Sequence, residues 1–332
     1  MKRALVTGAR GFLGAELSAL LLQNGIEVNA MYRPRTKLRS DLIEHPRLMP
    51  VKADILNKES LKNAMKYCDT VFHLAAFAKP WHKNRETFFE INVLGTKNVL
   101  DIAVEIGVKR VILVSTAGTF GPQKNETLVS ESTRPDRSLY TDYERTKFEA
   151  LLLAEDYLAQ GLEVVTVSPT RVFGPGEMSV SNAVTKIVHD YIYKGFRYVP
   201  GNGNSMGNYV FVSDVVQGIF LAAQKGRSGE NYILGGYNLT YRELYNAIGD
   251  SSGKRHQLIS VPLGIMIAVS WVMEKVANIT GRPPAITPPF VRKYSYNWGT
   301  DISKAQKHLN YDILPFQDAM NQTISWIREN NS

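Results

Sequence analysis

The sequence predicts an α/β fold, a Rossmann-type doubly wound parallel sheet with a smaller, mostly helical substrate lobe. Apolar strand-like runs alternate with helical ones up to Pro169, a glycine-spaced turn follows the first strand, and beyond Pro169 the pattern loosens into Gly/Pro/Asn-rich loops. Strands that alternate with helices pair in parallel, because the crossover helices cover both faces of the sheet. The 332 residues suffice for such a sheet and a second lobe, and 44% hydrophobic with 21% charged residues is ordinary globular usage.

The first strand, Arg3–Thr7, runs into Gly8, Gly11 and Gly14 and then an apolar helical run, 15–22, that stops before Asn24 and Gly25. In such a turn the first glycine permits a tight bend, the second lets backbone approach a pyrophosphate, and the third lets helix pack on strand. The phosphates then sit on free N–H groups at a helix N-terminus. The spacing is G-x-x-G-x-x-G rather than G-x-G-x-x-G, so taken alone it reads equally as a plain turn. Further strands are expected at 27–32, 49–53, 70–74, 111–115 and 163–168, with a helical run over 182–193 in the second lobe.

Two later elements carry chemistry. Tyr143 and Lys147 lie four residues apart in a helical stretch starting near Tyr140, so they share one face. A cation beside a phenol is expected to lower its pKa from about 10 and allow proton exchange with a carbonyl or alcohol. Taken alone, this pair is also what a half-buried aromatic beside a snorkelling lysine looks like. Its place in the chain favours chemistry: the strand before it ends in Ser115 and Thr116, and parallel sheets bind ligands at the carboxyl ends of their strands. Thr116 is then placed to orient the reacting oxygen.

Other features narrow the class. Cys68 is the single cysteine, which excludes an internal disulfide and fits a reducing compartment. The chain opens directly on a strand, so no cleavable signal peptide and a cytoplasmic location are expected. The net charge of +8 is spread out with no recognition module, so nucleic-acid binding is not expected. His73 and His82 stand apart without metal-ligand spacing, so no metal is expected, and at His73 the backbone rather than the ring is expected to count. The stretch 259–273 is strongly apolar, but Glu274 and Lys275 interrupt it before the ~20 residues of a spanning helix. It is expected to be buried packing or an apolar wall and lid. Peripheral membrane contact is the lesser alternative, because the stretch lacks a basic face.

The chain resembles the extended short-chain dehydrogenase/reductase family nearly end to end. The matching segments are Thr7 to Gly14, Asp54-Ile55, His73-Leu74-Ala75-Ala76, Asn92 to Leu100, the Thr116/Tyr143/Lys147 set, and Pro169 to Gly176. The resemblance implies a cofactor site built from Gly8, Arg10, Gly11, Phe12, Leu13, Gly14, Arg33, Asp54, Ile55, Leu74, Ala75, Ala76, Tyr143, Lys147, Pro169, Thr170 and Val172. It places Asp54, at the close of a strand, against the adenine amino group, Lys147 on the nicotinamide ribose, and Asn92 beside a water in the proton path. It also returns 209–215 and 231–234 to the first lobe. The domains are then discontinuous: 1–170 plus 208–235 for the dinucleotide half, and 171–207 plus 236–332 for the substrate lobe. A homodimer is implied through helices at about 85–106 and 140–158, where Leu151, Leu152, Leu153, Tyr157 and Leu158 offer apolar surface.

Cofactor choice follows from charge. Where an acid would bind the 2′-hydroxyl of NAD, the end of the second strand reads Met31-Tyr32-Arg33-Pro34-Arg35. Arg33, with Arg10 in the glycine loop, therefore points to NADP, with NAD the alternative if Arg33, Arg35 and Lys37 are only a solvated basic loop. A dehydratase of the family would carry an Asp-Glu pair where this chain has Ala117 and Gly118. Nucleotide-sugar members place an arginine for the diphosphate, in the loop before Tyr209, where this chain has Gly207-Asn208. Phe77, Trp81 and 259–273 offer apolar surface for a substrate, although aromatics are as often plain core. Within the family the likeness is to the 3β-hydroxysteroid dehydrogenase and dihydroflavonol reductase branch. It implies a ketone/alcohol oxidoreductase acting on a small molecule; the alternatives are a sugar epimerase that retains its cofactor, and a cofactor-sensing protein without turnover.

Overall fold

The computed structural model describes residues 1–33, 36–135, 137 and 140–330; Arg35 lies outside them. Seven parallel strands form the main sheet: β1 (Arg3–Thr7), β2 (Glu27–Tyr32), β3 (Leu48–Lys52), β4 (Thr70–His73), β5 (Arg110–Val114), β6 (Glu163–Pro169) and, later in the chain, Asn231–Leu234. The Asn231 strand lies at one edge beside β6, β3 lies at the other, and β4 and β1 occupy the centre. Ala4, Leu5, Val6, Val111 and Ile112 are wholly buried, as both faces of such a sheet require. The sheet is therefore the doubly wound Rossmann-type α/β fold read from the sequence.

Strands β3, β4 and β5 each end one residue before the expected boundary. Asp54 and Ile55 therefore follow β3 rather than close it, and the Asp54 carboxylate accepts from Leu56 N–H at 2.9 Å. The helix after the glycine turn spans Phe12–Gln23, starting earlier than the apolar run indicated. Gly8 holds φ +71°, and a Cβ built on Gly14 would stand 2.1 Å from the Gly8 carbonyl oxygen. Neither position admits a side chain.

The second region is not only helical. Strands β7 (Arg171–Phe173), β9 (Met206–Phe211) and β11 (Tyr237–Thr240) form a small sheet, and β8 (Tyr198–Pro200) pairs with β12 (Ile259–Val261); the Asn231 strand is β10. Strand β9 thus pairs outside the main sheet, and the helix after it, Val212–Lys225, packs on β5, β6 and the Phe12 helix.

Two long helices flank the sheet beside β4 and β6. One runs from Glu86 to Glu105 with a π turn at Glu90–Leu94, and the other, which carries Tyr143 and Lys147, spans Asp142–Leu158. The apolar stretch overturns the expectation of burial. It forms the helix Leu263–Thr280, which continues past Glu274 and Lys275, has a mean hydropathy of 1.3, and buries only Ser270 and Ala277. By length and composition alone it would cross a bilayer. Its side chains outnumber what the Pro288–Arg292 turn packed against it can cover.

Candidate active site

The glycine turn presents a donor set suited to an anion. Gly11 N–H donates to Gly8 O at 2.8 Å and Ala15 N–H donates to Gly11 O, so the N–H groups of Phe12, Leu13 and Gly14 precede the helical ladder. No side chain caps this helix and no acid stands in its first turn. A cofactor diphosphate fits there, and Gly8, Gly11, Phe12, Leu13 and Gly14 would hold it.

Behind the turn, the Thr7 hydroxyl accepts from Leu74 N–H and Ala75 N–H, each at 3.1 Å, and lies 2.9 Å from His73 Nδ1. His73 Nε2 lies 3.0 Å from Thr96 Oγ1, whose own proton goes to Asn92 O. Nε2 is therefore the donor and Nδ1 the acceptor. Burial and the nearby Lys147 push the His73 pKa down to about 3, so the ring is neutral. The ring itself, not only the backbone, ties β1 to the flanking helix.

Arg33 is exposed at the end of β2, with its carbonyl accepting from the Thr36 hydroxyl. Arg10 faces Glu177 at 3.8 Å, and both side chains are exposed. Pro169 ends β6, and the Thr170 hydroxyl donates to Asn208 Oδ1 at 2.7 Å. Val172 sits in β7.

Thr116 follows β5 and opens the turn Ala117–Phe120; its hydroxyl accepts from Gly118 N–H at 3.2 Å and keeps its proton to donate. Tyr143 lies half-buried near the start of the helix Asp142–Leu158, and its phenol hydroxyl makes no hydrogen bond to another described residue. Its pKa goes opposite to the expected direction: burial, then the charge on Glu144, pushes the phenol up. Lys147 is 2% exposed, and burial pulls its amine down to about 8. No contribution from the Lys147 amine offsets the desolvation of the phenol. Tyr143 is therefore held protonated.

Asn92, in the π turn, accepts from Phe77 N–H at 2.7 Å and donates to Thr146 at 2.9 Å, next to Lys147. Its amide joins three elements of the site. Phe77 packs edge-on against Phe88 and His82, and Trp81 is buried. Ala76 follows in the same loop.

Sequence reasoning missed Glu144. Its carboxylate accepts from Thr141 N–H at 3.0 Å and pairs with Lys293 Nζ at 2.5 Å, both side chains being largely buried. Its side chain fills the space beside Gly118, where a Cβ would stand 2.9 Å from Glu144 Cγ. The Thr-x-x-Glu capping spacing was the available local signal; the partner 149 positions away was not. Among the described residues, no three His, Cys, Asp or Glu are grouped to hold a metal.

The model of the NAD dependent epimerase/dehydratase family matches residues 4–235. Sterol demethylase protein B of Methylococcus capsulatus is 27% identical over 98% of both chains. A 3-beta-hydroxysteroid dehydrogenase of Mycolicibacterium neoaurum is 28% identical over 94% of this chain and 87% of its own. Among solved structures, the UDP-glucose 4-epimerase of Thermotoga maritima, with UDP-glucose, superposes with a TM-score of 0.81 at 21% identity, covering 99% of this chain and 100% of its own; at that identity it shows the fold alone.

Proposed function

We propose that this chain, which belongs to the NAD-dependent epimerase/dehydratase family and is an NAD(P)-dependent enzyme of the oxidoreductase/epimerase type, interconverts a ketone or aldehyde and an alcohol on a partly apolar substrate, with NADP(H). The observation that carries this reading is the protonated Tyr143 phenol on one face with a buried Lys147 that pairs with no carboxylate among the described residues, beside the Thr116 hydroxyl at the end of β5. The bound nicotinamide would supply or accept the hydride. Thr116 donates a hydrogen bond that orients the carbonyl oxygen, and Tyr143 delivers its proton to that oxygen during reduction. Lys147 holds the nicotinamide ribose, and Asn92 fixes the spacing between the π turn and the helix Asp142–Leu158. Arg33 and Arg10 favour the 2′-phosphate.

Apolar chemistry is supported by the helix Leu263–Thr280 and by relatives named for sterols and hydroxysteroids. Arg85 donates to both carboxylate oxygens of Asp142, the first residue of the helix Asp142–Leu158, and the Glu274 carboxylate of the apolar helix raises its pKa further. The same helix is assigned to peripheral contact with a lipid surface. Ile265, Val269, Val272, Val276 and Ile279 form one exposed stripe, with Lys275 and Arg282 beside it for anionic headgroups. A homodimer through the two flanking helices is supported by exposed Phe89, Leu94 and Leu152.

The deciding measurement is NADPH consumption against a panel of ketones and aldehydes, with NADH alongside. Net oxidation of NADPH is expected. Turnover of a sugar without net cofactor change would instead establish an epimerase, and no turnover with tight cofactor binding a sensing protein.

A further inference from the structure

We infer that Arg171 anchors a carboxylate on the substrate, an inference that rests on the oxidoreductase reading only for where that substrate reacts. Arg171 opens β7, and its Nη1 donates to the hydroxyls of Tyr209 at 3.1 Å and Tyr241 at 3.0 Å. Its guanidinium lies over both rings, at 5.4 and 5.5 Å. No carboxylate among the described residues pairs with it, and its Nε and Nη2 donate to none of them. A guanidinium cannot shed its charge, and a cation set deep in a fold without a counter-ion is costly. The tyrosine contacts offset only part of that cost. The residue keeps some solvent-accessible surface, so a ligand can reach it.

The donors left free identify the missing partner. Nε–H and the adjacent Nη2–H form the side-on fork of a guanidinium, which matches the two oxygens of a planar carboxylate. Room for this cation comes from the glycine opposite: a Cβ on Gly207 would stand 2.4 Å from Arg171 Nη1. Gly207-Asn208 stands where many nucleotide-sugar members of the resembling family carry an arginine. In this chain the guanidinium reaches the same space from the neighbouring strand, since Arg171 pairs in register with Tyr209.

A chain of contacts links the site to the reacting group. The Tyr241 ring packs on that of Tyr294 at 5.5 Å, and the adjoining Lys293 pairs with Glu144, the neighbour of Tyr143. Tyr294 also borders a depression of about 500 Å³ with Leu263 of the apolar helix and Asn297. An apolar body bearing a carboxylate can thus bridge Arg171 and the region of Tyr143.

The test uses dehydrocholate, a polycyclic keto acid, and its methyl ester, titrated calorimetrically into the NADP⁺-saturated protein. Wild type should bind the acid more tightly than the ester by a factor on the order of 10 to 100. Arg171→Met should bring the ratio close to one, and Arg171→Lys, which keeps the charge without the fork, should recover only part of it. Acid and ester binding alike to wild type, or both weakening equally in Arg171→Met, would overturn the inference. A fully restored ratio in Arg171→Lys, or displacement of the acid by inorganic phosphate more readily than by acetate, would overturn the carboxylate assignment. Because binding is read without turnover, the Arg171-dependent preference is scored independently of the ketone and aldehyde panel, so failure of the oxidoreductase reading there would leave the anion site standing.

Discussion

Two helices of nearly equal length bury opposite chemistries. The helix Asp142–Leu158, 17 residues, places Glu144, Thr146 and Lys147 inside the fold, whereas the 18-residue helix Leu263–Thr280 leaves Val272 64% and Ile279 82% exposed. Hydropathy alone would reverse them. Charged groups are tolerated in the first because it is packed between the sheet and the π-turn helix, and Glu144 finds Lys293 there. Apolar groups stay outside in the second because no element among the described residues covers them. Polar burial and apolar exposure are each costly for stability, which is why both mark function rather than packing.

The comparison can be broken hardest at Tyr143. Tyr143→Phe should cut turnover by a factor on the order of 10² to 10⁴, the usual contribution of a positioned acid–base group, with NADPH affinity little changed. Steady-state rates with fluorescence titration of the cofactor check this; near-wild-type turnover would show that the buried phenol is only packing.

Lys147 tests whether the buried charge is an energetic burden. Its pKa falls from 10.5 to about 8 on folding, so the unfolded chain binds the extra proton between those values and wild-type stability should rise with pH across that window. Lys147→Met should be more stable than wild type near neutrality, by on the order of a few kcal/mol, and the gap should narrow above pH about 8. Urea unfolding from pH 7 to 10 measures it. A pH-independent gap would mean that Lys147 is not desolvated in the folded protein. His73 acts on the acid side: its depressed pKa predicts stability that is present above about 6.5 and lost as pH falls toward 3.

Arg33 extends the contrast to a charge that is exposed and waiting for a partner. Arg33→Ala should weaken NADPH binding by roughly 10- to 100-fold, the value of a charge-assisted contact, and leave NADH within about twofold. Equal wild-type affinity for the two cofactors would end the argument for NADP.

The smallest expected change in stability sharpens the other helix. Val272→Asp and Ile279→Asp should each shift unfolding by no more than about 0.5 kcal/mol, as at other exposed sites, while the pair abolishes sedimentation with anionic vesicles. Marked destabilisation would show that the helix is covered in solution, and vesicle binding that survives both changes would remove it as the contact.

The strand–helix alternation, the glycine turn and the four-residue spacing of Tyr143 and Lys147 were legible because each is written within a turn or two of backbone. The family followed from the order of those local signals. Tertiary structure decided what local signals cannot carry: that Tyr143 is held protonated, that Glu144 meets Lys293, that Arg171 occupies the space left by Gly207, and that the long apolar helix Leu263–Thr280 faces outward. Each depends on which distant groups share a volume, and that is fixed only when the chain has closed on itself. Period and propensity are properties of a segment; desolvation and pairing are properties of its surroundings.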